Sequence, residues 1–386
     1  MARRLLFVVN EAYFFMTHRL PVARAMATEG WEIHVAAPDD HVWAPDGFSV
    51  EALEKAGFRY HPIPLSRRGR NPFQEMRTIF ALWRVMRVVR PDLVHFLTIK
   101  PVIYGGLMAR AAKVPAVVTT ITGLGQMFVE AGSNMAVLRS VVTMLYRFSL
   151  AHSNARTIVQ NTHDGEVLIR AGAVNRDRIR LIRGSGVNLN EFTPTEQPTG
   201  RLLVILPARL IWEKGVGEFV AAAELLREMG CNARLALIGD TQASNPRAVP
   251  ADKIEAWAAE GLVEWWGRRT DMPDVLTQSG IVCLPSTYGE GVPKVLIEAA
   301  AAGRPIVATD IPGCREIVRH GENGLLIPTS NPQALAEAIL QLISDRELRA
   351  RMGRRSREIA EAEFSEAYVV QQTINIYGEV VPANSA

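Results

Sequence analysis

Two carboxylates, Glu290 and Glu298, stand eight positions apart in the segment 285–310, which reads PSTYGEGVPKVLIEAAAAGRPIVATD. A short apolar run precedes this segment and predicts a buried strand. A turn of small residues then leads to Pro293, a residue type favoured at the first position of a helix. A helix N-terminus offers unpaired N–H groups and the positive end of a dipole, and it therefore suits a phosphate. Because carboxylates are poor phosphate ligands, we expect the two glutamates to bind hydroxyl groups beside this anion site.

Two cations form a second group. Arg209 and Lys214 follow the apolar run 201–206, which predicts another strand. In open α/β sheets, ligands bind at the carboxyl ends of the strands. We therefore expect both side chains at the carboxyl end of this strand. The alternative is an ordinary surface pair.

The elements that must position these groups alternate between strand and helix along the whole chain, which predicts two parallel, doubly wound α/β sheets. A chain of 386 residues exceeds one typical core, so two domains are expected. We place the first at 1–192 and the second at 200–364. The intervening TPTEQPTG is polar and proline-rich, as a linker should be, and a last segment runs over 365–386.

Charge is distributed unevenly between the two halves. The chain has a net charge of +3, but residues 1–190 contain 24 Lys and Arg against 14 Asp and Glu. A basic half attracts anionic lipid head groups or an anionic acceptor, and the alternative is ordinary surface variation. The three cysteines have neither metal-site spacing nor an even number for disulfides. We expect a protein of the reducing cytoplasm that has no metal site and no nucleic-acid partner.

Two segments could contact a membrane, although no apolar run is long enough to span one. The helix predicted to end at Val89 mixes arginines with large apolar residues, which is typical either of membrane-surface contact or of a packed helix with a solvated basic face. Residues 127–151 form either a hairpin that inserts shallowly into the interface or a core helix, which we favour. The N-terminus reads as a first strand and not as a signal peptide.

The pattern Glu290-Gly-Val-Pro…Glu298 resembles the E-x7-E donor motif of retaining GT-B glycosyltransferases of family 4. Arg209 and Lys214 match the family's GR-x-x-x-x-KG motif, with Ala208 in place of the usual glycine. The resemblance implies that Glu298 binds the ribose of the donor nucleotide and that Glu290 lies against the donor sugar. It also implies that Arg209 and Lys214 clamp the diphosphate, so that no cofactor or metal is required.

Further donor contacts follow from the same resemblance. The segments around Gly239 and Arg268 resemble the family's loops after two further strands, of which the second usually lines the base. Arg268 and its neighbour Arg269 could instead make structural salt bridges. Gly184 lies in a segment that resembles the interdomain GxGVD pattern, with Asn188 for the usual Asp. The remaining implied contacts are in the turn and the first helical residues after Glu290: Gly291, Val292, Pro293, Lys294 and Val295.

On the acceptor or sugar side, the first loop after a strand, residues 10–18, should face the crevice, with Asn10 and His18 as candidates. Thr122 stands where many members carry a histidine and could hydrogen-bond the sugar or the acceptor, and Gly123 beside it is a further candidate. A retaining reaction with front-face attack needs little from a protein base, because the leaving phosphate can accept the proton. His95 is a poor replacement and is better explained as a satisfied residue at a strand end.

The variants THRLP (17–21), HFLTIKPVIYG (95–105) and ITGLG (121–125) narrow the resemblance to a subgroup that extends polyprenyl-diphosphate-linked sugars, including N-acetylgalactosaminyltransferases of bacterial glycan assembly. This implies two Rossmann-like domains that face each other across a cleft, with the segment 365–386 crossing back to the first. It also implies a UDP-sugar donor, a polyprenyl-diphosphate-linked saccharide acceptor and peripheral association with the inner face of the cytoplasmic membrane.

Other functions remain open on sequence alone. A UDP-N-acetylglucosamine 2-epimerase would use the same fold, a hexosyltransferase of the GDP-mannose type would use another donor, and a non-catalytic protein would only bind the nucleotide sugar. The two-part donor site, Arg209 with Lys214 and Glu290 with Glu298, favours the transferase.

Overall fold

The structure is a computed structural model that describes residues 2–38, 50–66, 71–124, 133–241 and 245–381. In the helix that begins at residue 133, side chains are described from residue 140 onward. The described chain divides into two compact units. Unit 1 contains the residues up to Ser185 and those from Val369 onward, and unit 2 is Gly186–Tyr368. Each unit is an α/β structure around one parallel sheet.

The described residues of unit 1 form a seven-stranded sheet in the order β3-β2-β1-β4-β5-β6-β7. Its strands are β1 Arg4–Val8, β2 Glu32–Ala37, β3 Arg59–Pro62, β4 Leu93–Leu97, β5 Ala116–Ile121, β6 Ala155–Val159 and β7 Ile179–Leu181. All neighbours pair in parallel. The order reverses between β1 and β4, and the carboxyl ends of strands at such a switch point form the usual ligand site of a doubly wound sheet.

Helices cover both faces of this sheet. They are α1 Ala12–His18, α2 Leu20–Thr28, α3 Val50–Lys55, α4 Pro72–Val89, α5 Gly106–Ala111, α6 Ser133–Ser149 and α7 Thr162–Arg170. Successive residues of a strand point to opposite faces, so Leu5 and Phe7 of β1 join one core cluster while Leu6 and Val8 join the other. Helices α1 and α2 pack on the first face, and α4, α5 and α6 pack on the second.

The described residues of unit 2 form a six-stranded parallel sheet in the order β10-β9-β8-β11-β12-β13. Its strands are β8 Leu203–Pro207, β9 Arg234–Ile238, β10 Glu264–Trp265, β11 Ile281–Leu284, β12 Ile306–Thr309 and β13 Gly324–Ile327. Its helices are α8 Val216–Glu228, α9 Ala251–Ala259, α10 Met272–Gln278, α11 Lys294–Ala301, α12 Pro312–Arg315, α13 Pro332–Ser344 and α14 Arg346–Glu363. The strand order reverses between β8 and β11, which is the switch point of this unit. The two parallel, doubly wound sheets that the sequence predicts are thus confirmed.

The boundary between the units lies before Gly186, whereas the predicted first domain extended to 192. Val187 and Phe192 are buried in the core of unit 2. The Val187 N–H donates to the Phe364 carbonyl at 2.9 Å, and the Arg357 guanidinium donates to the Phe192 carbonyl at 2.7 Å. These contacts hold the segment 186–192 on unit 2, because its apolar side chains are buried there and its backbone groups find their hydrogen-bond partners there.

The last helix, α15, spans Glu366–Val380, and from Val369 onward it belongs to unit 1. Val369, Ile376 and Tyr377 are buried in the same core cluster as β1. Near its end, Glu379 forms ion pairs of 2.6 and 2.5 Å with Arg156 and Arg180 of unit 1. Apolar burial and these ion pairs together hold the helix on the sheet of unit 1.

Several local predictions need correction. The segment 10–18, predicted as a loop, is mostly helical, since α1 begins at Ala12 and buries Ala12 and Phe15 one turn apart. No side chain caps this helix, so the sequence carries no start signal for it. Pro293 is the residue before α11 and not its first helical residue. The short helix α12 and the edge strand β7 were not predicted, because each is too short to show a periodic pattern.

Of the two candidate membrane segments, the helix predicted to end at Val89 is described in full as α4, whereas the segment 127–151 is described only in part. Residues 127–132 lie outside the described ranges, while 133–149 form α6. None of the helices in the described ranges is long and apolar enough to cross a membrane.

Candidate active site

Three loops of unit 2 meet where β8, β11 and β12 end. The Thr287 N–H donates to the Glu213 carbonyl at 2.9 Å, which joins the loop after β11 to the loop after β8. Gly215 has a left-handed φ of 75°, and a Cβ there would overlap the carbonyl oxygen of Pro285. A Cβ on Gly313, in α12, would overlap the carbonyl oxygen of Gly291. Glycine is therefore required at both positions for the three loops to approach so closely.

Lys214 and Glu290 are joined at the centre of these loops. Lys214 Nζ donates a hydrogen bond to Glu290 Oε1, and the two side chains are only 13% and 11% exposed. The Ser286 hydroxyl donates to the same carboxylate oxygen at 2.8 Å, and the Ser286 carbonyl accepts from the Thr309 hydroxyl at 2.7 Å. The position of Glu290 is thus set by both the loop after β8 and the end of β12.

The charge of Lys214 is held by its neighbours. Burial alone would lower its pKa, but attraction to Glu290 and Tyr288 and the hydrogen bond to Glu290 outweigh burial, so the pKa of Lys214 lies above its usual value. Its Nζ lies 5.7 Å from the centroid of the Tyr288 ring. Arg209 opposes the shift as a like charge. The site therefore keeps a fixed ammonium at the switch point, next to a second cation.

Arg209 is exposed on the same loop. The backbone on either side of it is fixed, because the Ala208 N–H donates to the Ile238 carbonyl at 3.0 Å and the Leu210 N–H donates to the Asp240 carbonyl at 3.1 Å. Both bonds prolong the pairing of β8 with β9. The side chain thus starts from a rigid backbone at the carboxyl end of β8.

Glu298 lies one turn into α11, and its side chain is largely buried. The pKa of the Glu298 carboxyl is raised to about 7, mainly by burial and also by the Glu191 charge, while Lys294, at 3.7 Å, acts in the opposite direction. A buried carboxyl with few polar neighbours accepts hydrogen bonds strongly once it is ionised. It is a suitable partner for a hydroxyl group presented to the start of α11.

The turn between Glu290 and α11 contains the other predicted nucleotide contacts. Gly291 packs against α12, Val292 is buried, and Pro293 precedes the first residue of α11. Lys294 and Val295 form the first turn of the helix, and Lys294 pairs with Glu298. The positive end of the α11 dipole therefore points towards the Glu290 turn.

The loops after β9 and β10 are also joined. The Gly239 N–H donates to the Gly267 carbonyl at 2.7 Å, and the Arg268 N–H donates to Asp240 Oδ1 at 3.0 Å. Of the two neighbouring arginines, Arg269 makes a salt bridge to Asp271. Gly239 and Arg268 thus share one edge of the sheet with Arg209, since β8, β9 and β10 are neighbours.

The predicted acceptor-side residues belong to unit 1. Asn10 follows β1, and His18 ends α1, where its ring stacks on Phe14 at 4.3 Å and hydrogen-bonds the Thr17 hydroxyl at 2.7 Å. Thr122 and Gly123 follow β5, at the same carboxyl edge of the unit 1 sheet.

Gly184, predicted among the donor contacts, also belongs to unit 1. It has a left-handed φ of 75° and lies just before the boundary between the units.

His95 is a structural residue. It is buried in β4, and its two ring nitrogens hydrogen-bond the Tyr377 hydroxyl at 2.6 Å and the Thr120 hydroxyl at 2.7 Å. Burial, with the nearby Arg19 charge, holds the pKa of His95 well below its usual value. It is therefore a neutral residue with both nitrogens satisfied, although it lies inside the strand and not at its end.

Sequence reasoning missed Ser286 and Tyr288, which contact the buried Lys214–Glu290 pair. The available signal was their position, four and two residues before Glu290 in a turn of small residues. In the described residues, no group of three or more His, Cys, Asp or Glu side chains is arranged to hold a metal ion.

Comparison with known proteins agrees with this architecture. Residues 188–359 match the family Glycosyl transferases group 1, and residues 4–162 match the family Glycosyl transferase 4-like. The chain is 27% identical, over 94% of its length and 95% of the relative's, to an N,N'-diacetylbacillosaminyl-diphospho-undecaprenol alpha-1,3-N-acetylgalactosaminyltransferase of Campylobacter jejuni. It is 25% identical to a UDP-Gal:alpha-D-GlcNAc-diphosphoundecaprenol alpha-1,3-galactosyltransferase of Escherichia coli, over 74% and 75% of the two chains.

Solved structures show the same fold. The structure of HepE from Anabaena in complex with UDP and glucose superposes with a TM-score of 0.75 at 18% identity and covers 97% of this chain and 99% of that one. The two family matches together span most of the two sheets described above. The chain therefore contains a Glycosyl transferase 4-like domain and a Glycosyl transferases group 1 domain, has the GT-B fold and is a glycosyltransferase.

Proposed function

We propose that this glycosyltransferase moves a sugar, with retention of anomeric configuration, from a UDP-sugar to a polyprenyl-diphosphate-linked saccharide. The donor that we propose is a UDP-N-acetylhexosamine, and the product is part of a bacterial cell-surface polysaccharide or glycoprotein glycan. The observation that carries the proposal is the buried Lys214–Glu290 pair at the switch point of unit 2, beside Arg209 and the start of α11. It is supported by the names of the relatives, which specify diphospho-undecaprenol substrates and, in one case, a UDP-sugar.

The donor is proposed to bind across the carboxyl edge of the unit 2 sheet. Glu298 accepts hydrogen bonds from the ribose hydroxyls, for which its buried carboxyl at the start of α11 is suited. The turn from Gly291 to Val295 presents the α11 dipole to the diphosphate. Gly239 and Arg268, on the loops after β9 and β10, border the nucleoside, and Gly184 is proposed to contribute from unit 1.

Charge development on the leaving group decides the roles of the cations. As the bond between the anomeric carbon and the diphosphate oxygen breaks, negative charge accumulates on the diphosphate, and fixed cations that face this charge lower the barrier. Lys214 is suited because its charge is held by Glu290 and needs little reorganisation. Arg209 supplies a second, exposed cation. We therefore propose that the transfer needs no metal ion or other cofactor.

The acceptor hydroxyl is proposed to attack on the face from which the diphosphate departs. Its oxygen forms the new bond to the anomeric carbon, and its proton passes to the departing phosphate oxygen, so that UDP leaves with the bonding electron pair. Glu290 orients the donor sugar through a hydroxyl group. Asn10, His18, Thr122 and Gly123 are proposed to line the acceptor or sugar side, and basic unit 1 meets the anionic lipid-linked acceptor at the inner face of the cytoplasmic membrane, where the protein is peripheral.

The test is UDP or GDP release from a panel of UDP- and GDP-sugars, with and without a polyprenyl-diphosphate-linked saccharide. Release from one UDP-N-acetylhexosamine that depends on the acceptor, with an α-configured product by NMR, is expected. Consumption of the donor without acceptor, with an isomeric nucleotide sugar as product, would show an epimerase. Acceptor-dependent release from a GDP-sugar only would contradict the proposed donor.

A further inference from the structure

The outward face of α4 carries large apolar side chains that the core does not use. Phe73 is 82% exposed, Met76 64%, Phe80 62% and Val88 69%. The inward face of the same helix is formed by Thr78, Leu82, Met86 and Val89, which are buried. The fold of unit 1 therefore needs only one face of α4, and the exposed phenylalanines require another explanation.

A second helix repeats the pattern. On α6, Val141, Met144 and Phe148 are exposed at successive turns, while Val142 and Tyr146 are buried. Together, α4 and α6 hold seven of the ten large apolar side chains that are exposed in the described ranges. Both helices pack against α5 and contribute to one core cluster, so they lie on the same side of the unit 1 sheet. We call these seven exposed side chains and the arginines between them the α4–α6 face.

The charges on this face are all positive. Arg77, Arg84 and Arg87 are exposed between the apolar residues of α4. The one acidic residue of that helix, Glu75, is half-buried and forms a 2.6 Å ion pair with Lys100. The α6 sequence, SNMAVLRSVVTMLYRFS, contains no acidic residue, and its Arg147 is exposed. Within α4 and α6, therefore, no carboxylate offsets the arginines of the face.

The positive charge continues past the end of α4. A cavity of about 250 Å³ lies there, bordered by Arg87, Arg90 and Lys113. Its one carboxylate, Asp92, accepts a hydrogen bond from the Arg4 N–H at 2.8 Å. Three cations against one engaged carboxylate favour anionic groups near this end of the helix.

From this geometry we infer that the α4–α6 face docks on an anionic phospholipid bilayer, with its apolar side chains in the interface and its arginines against lipid phosphates. The inference rests on the proposed function, since a lipid-linked acceptor requires that the enzyme reach a membrane. Amphipathic helices with apolar residues and arginines on one surface bind this way, because apolar burial and attraction to anionic lipid add together. It also explains why the excess of basic residues lies in the first half of the chain.

A second copy of the chain is a poorer occupant for the same face. A twofold interface places the same patch on both subunits, so each arginine cluster would meet its own copy, while the one carboxylate of the two helices, Glu75, is already paired with Lys100. Like charges placed opposite one another disfavour association. A bilayer that contains anionic lipid supplies both the apolar phase and the opposite charge.

The experiment is co-sedimentation of the full chain with phosphatidylcholine vesicles, with and without phosphatidylglycerol. We expect binding that needs phosphatidylglycerol, and a loss of roughly tenfold or more in the partition coefficient for Phe73→Ser/Phe80→Ser and for Arg77→Glu/Arg84→Glu. Matched controls in unit 2 are Met229→Ser and Arg351→Glu, which are also exposed and should bind as the wild type. Unchanged thermal unfolding of all four variants shows that each is folded.

Three readouts separate the possible failures. Full vesicle binding by both α4 variants, or equal binding without phosphatidylglycerol, would overturn the docking inference. A concentration-dependent dimer in sedimentation velocity that Phe73→Ser/Phe80→Ser abolishes, without vesicle binding by the wild type, would assign the face to a second copy. UDP release with a short-chain, water-soluble acceptor should be equal in wild type and α4 variants. If the wild type releases no UDP with this acceptor while its vesicle binding depends on the α4–α6 face, the docking inference stands and the proposed function fails.

Discussion

Lys214 and Glu290 are 76 positions apart in the chain, and Lys214 Nζ donates a hydrogen bond to Glu290 Oε1 where β8 and β11 end side by side. A buried ion pair of this kind is costly to break from one side, because the remaining charge stays buried without its partner. If the lysine is removed, the Ser286 hydroxyl is the one side-chain hydrogen-bond donor to the Glu290 carboxylate that remains among the described residues. The pair therefore links the stability of unit 2 to the proposed stabilisation of the leaving diphosphate.

Lys214→Ala is expected to reduce kcat for acceptor-dependent UDP release by roughly 10²- to 10³-fold, because the fixed cation that faces the departing diphosphate is lost. Urea unfolding should also show a loss of about 3 kcal/mol, since the Glu290 carboxylate is left buried. The control is Lys253→Ala, an exposed lysine of the same unit that lies over the Trp212 ring at 5.0 Å. Turnover of Lys214→Ala within twofold of wild type would refute the role of this lysine.

Gly313→Ala is expected to destabilise unit 2 by roughly 1–3 kcal/mol and to lower kcat, because a Cβ at this position overlaps the Gly291 carbonyl oxygen and must displace the turn that carries Glu290. Gly378→Ala is the matched change, since Gly378 lies in α15 with no atom within 4 Å of its Cβ position. That variant should gain about 0.5–1 kcal/mol from the greater helix propensity of alanine. Equal unfolding midpoints for the two variants would contradict the close approach of α12 to the Glu290 turn.

Glu298 should make stability depend on pH in a defined window. Its carboxyl has a pKa near 7 in the folded protein against an ordinary value of 4.5, so the folded state binds the proton more tightly than the unfolded state. The stabilisation from this proton is complete below pH 4.5 and is lost as pH rises through 7. Glu298→Gln should therefore be more stable than wild type by about 1–3 kcal/mol at pH 8, with the difference vanishing near pH 4.5.

Guanidinium unfolding at several pH values measures this difference. A constant difference across pH 4.5–8 would show that the carboxyl of Glu298 does not titrate as described. UDP binding provides a second readout, because Gln accepts hydrogen bonds less strongly than an ionised carboxylate. We expect weaker binding by Glu298→Gln at pH 8, whereas the variant and the wild type should converge at pH 5.

Tyr377→Phe is expected to destabilise unit 1 by about 1–3 kcal/mol, because it leaves His95 Nδ1 buried without its partner. The matched change is Tyr368→Phe, since Tyr368 is exposed and lies at the start of the same helix. Differential scanning calorimetry measures both. A Tyr377→Phe midpoint equal to that of Tyr368→Phe would show that the hydrogen bond to His95 contributes little to holding α15 on the sheet.

The sequence alone determined the fold class and most elements of the two units, because alternating apolar strands and amphipathic helices are visible in local patterns. The run 281–284, for example, is a continuous apolar stretch and forms β11, a fully buried strand. The spacing of Glu290 and Glu298 and the order of Arg209 and Lys214 were also readable, because each pair is local in the sequence. Arg209 and Lys214 follow one strand, and Glu290 and Glu298 lie in one loop and the helix that follows it.

Only the tertiary structure decided that Lys214 and Glu290 form a pair, because the contact depends on which strands become neighbours and on three loops that close around glycines. It likewise assigned 186–192 to unit 2 through burial of Val187 and Phe192, which are ordinary apolar residues in the sequence. The outward position of Phe73 and Phe80 could not be read from their type, since a phenylalanine in a helix is usually buried. Local pattern shows which residues are apolar or charged, whereas packing between distant segments decides which of them face each other, the core or the surrounding medium.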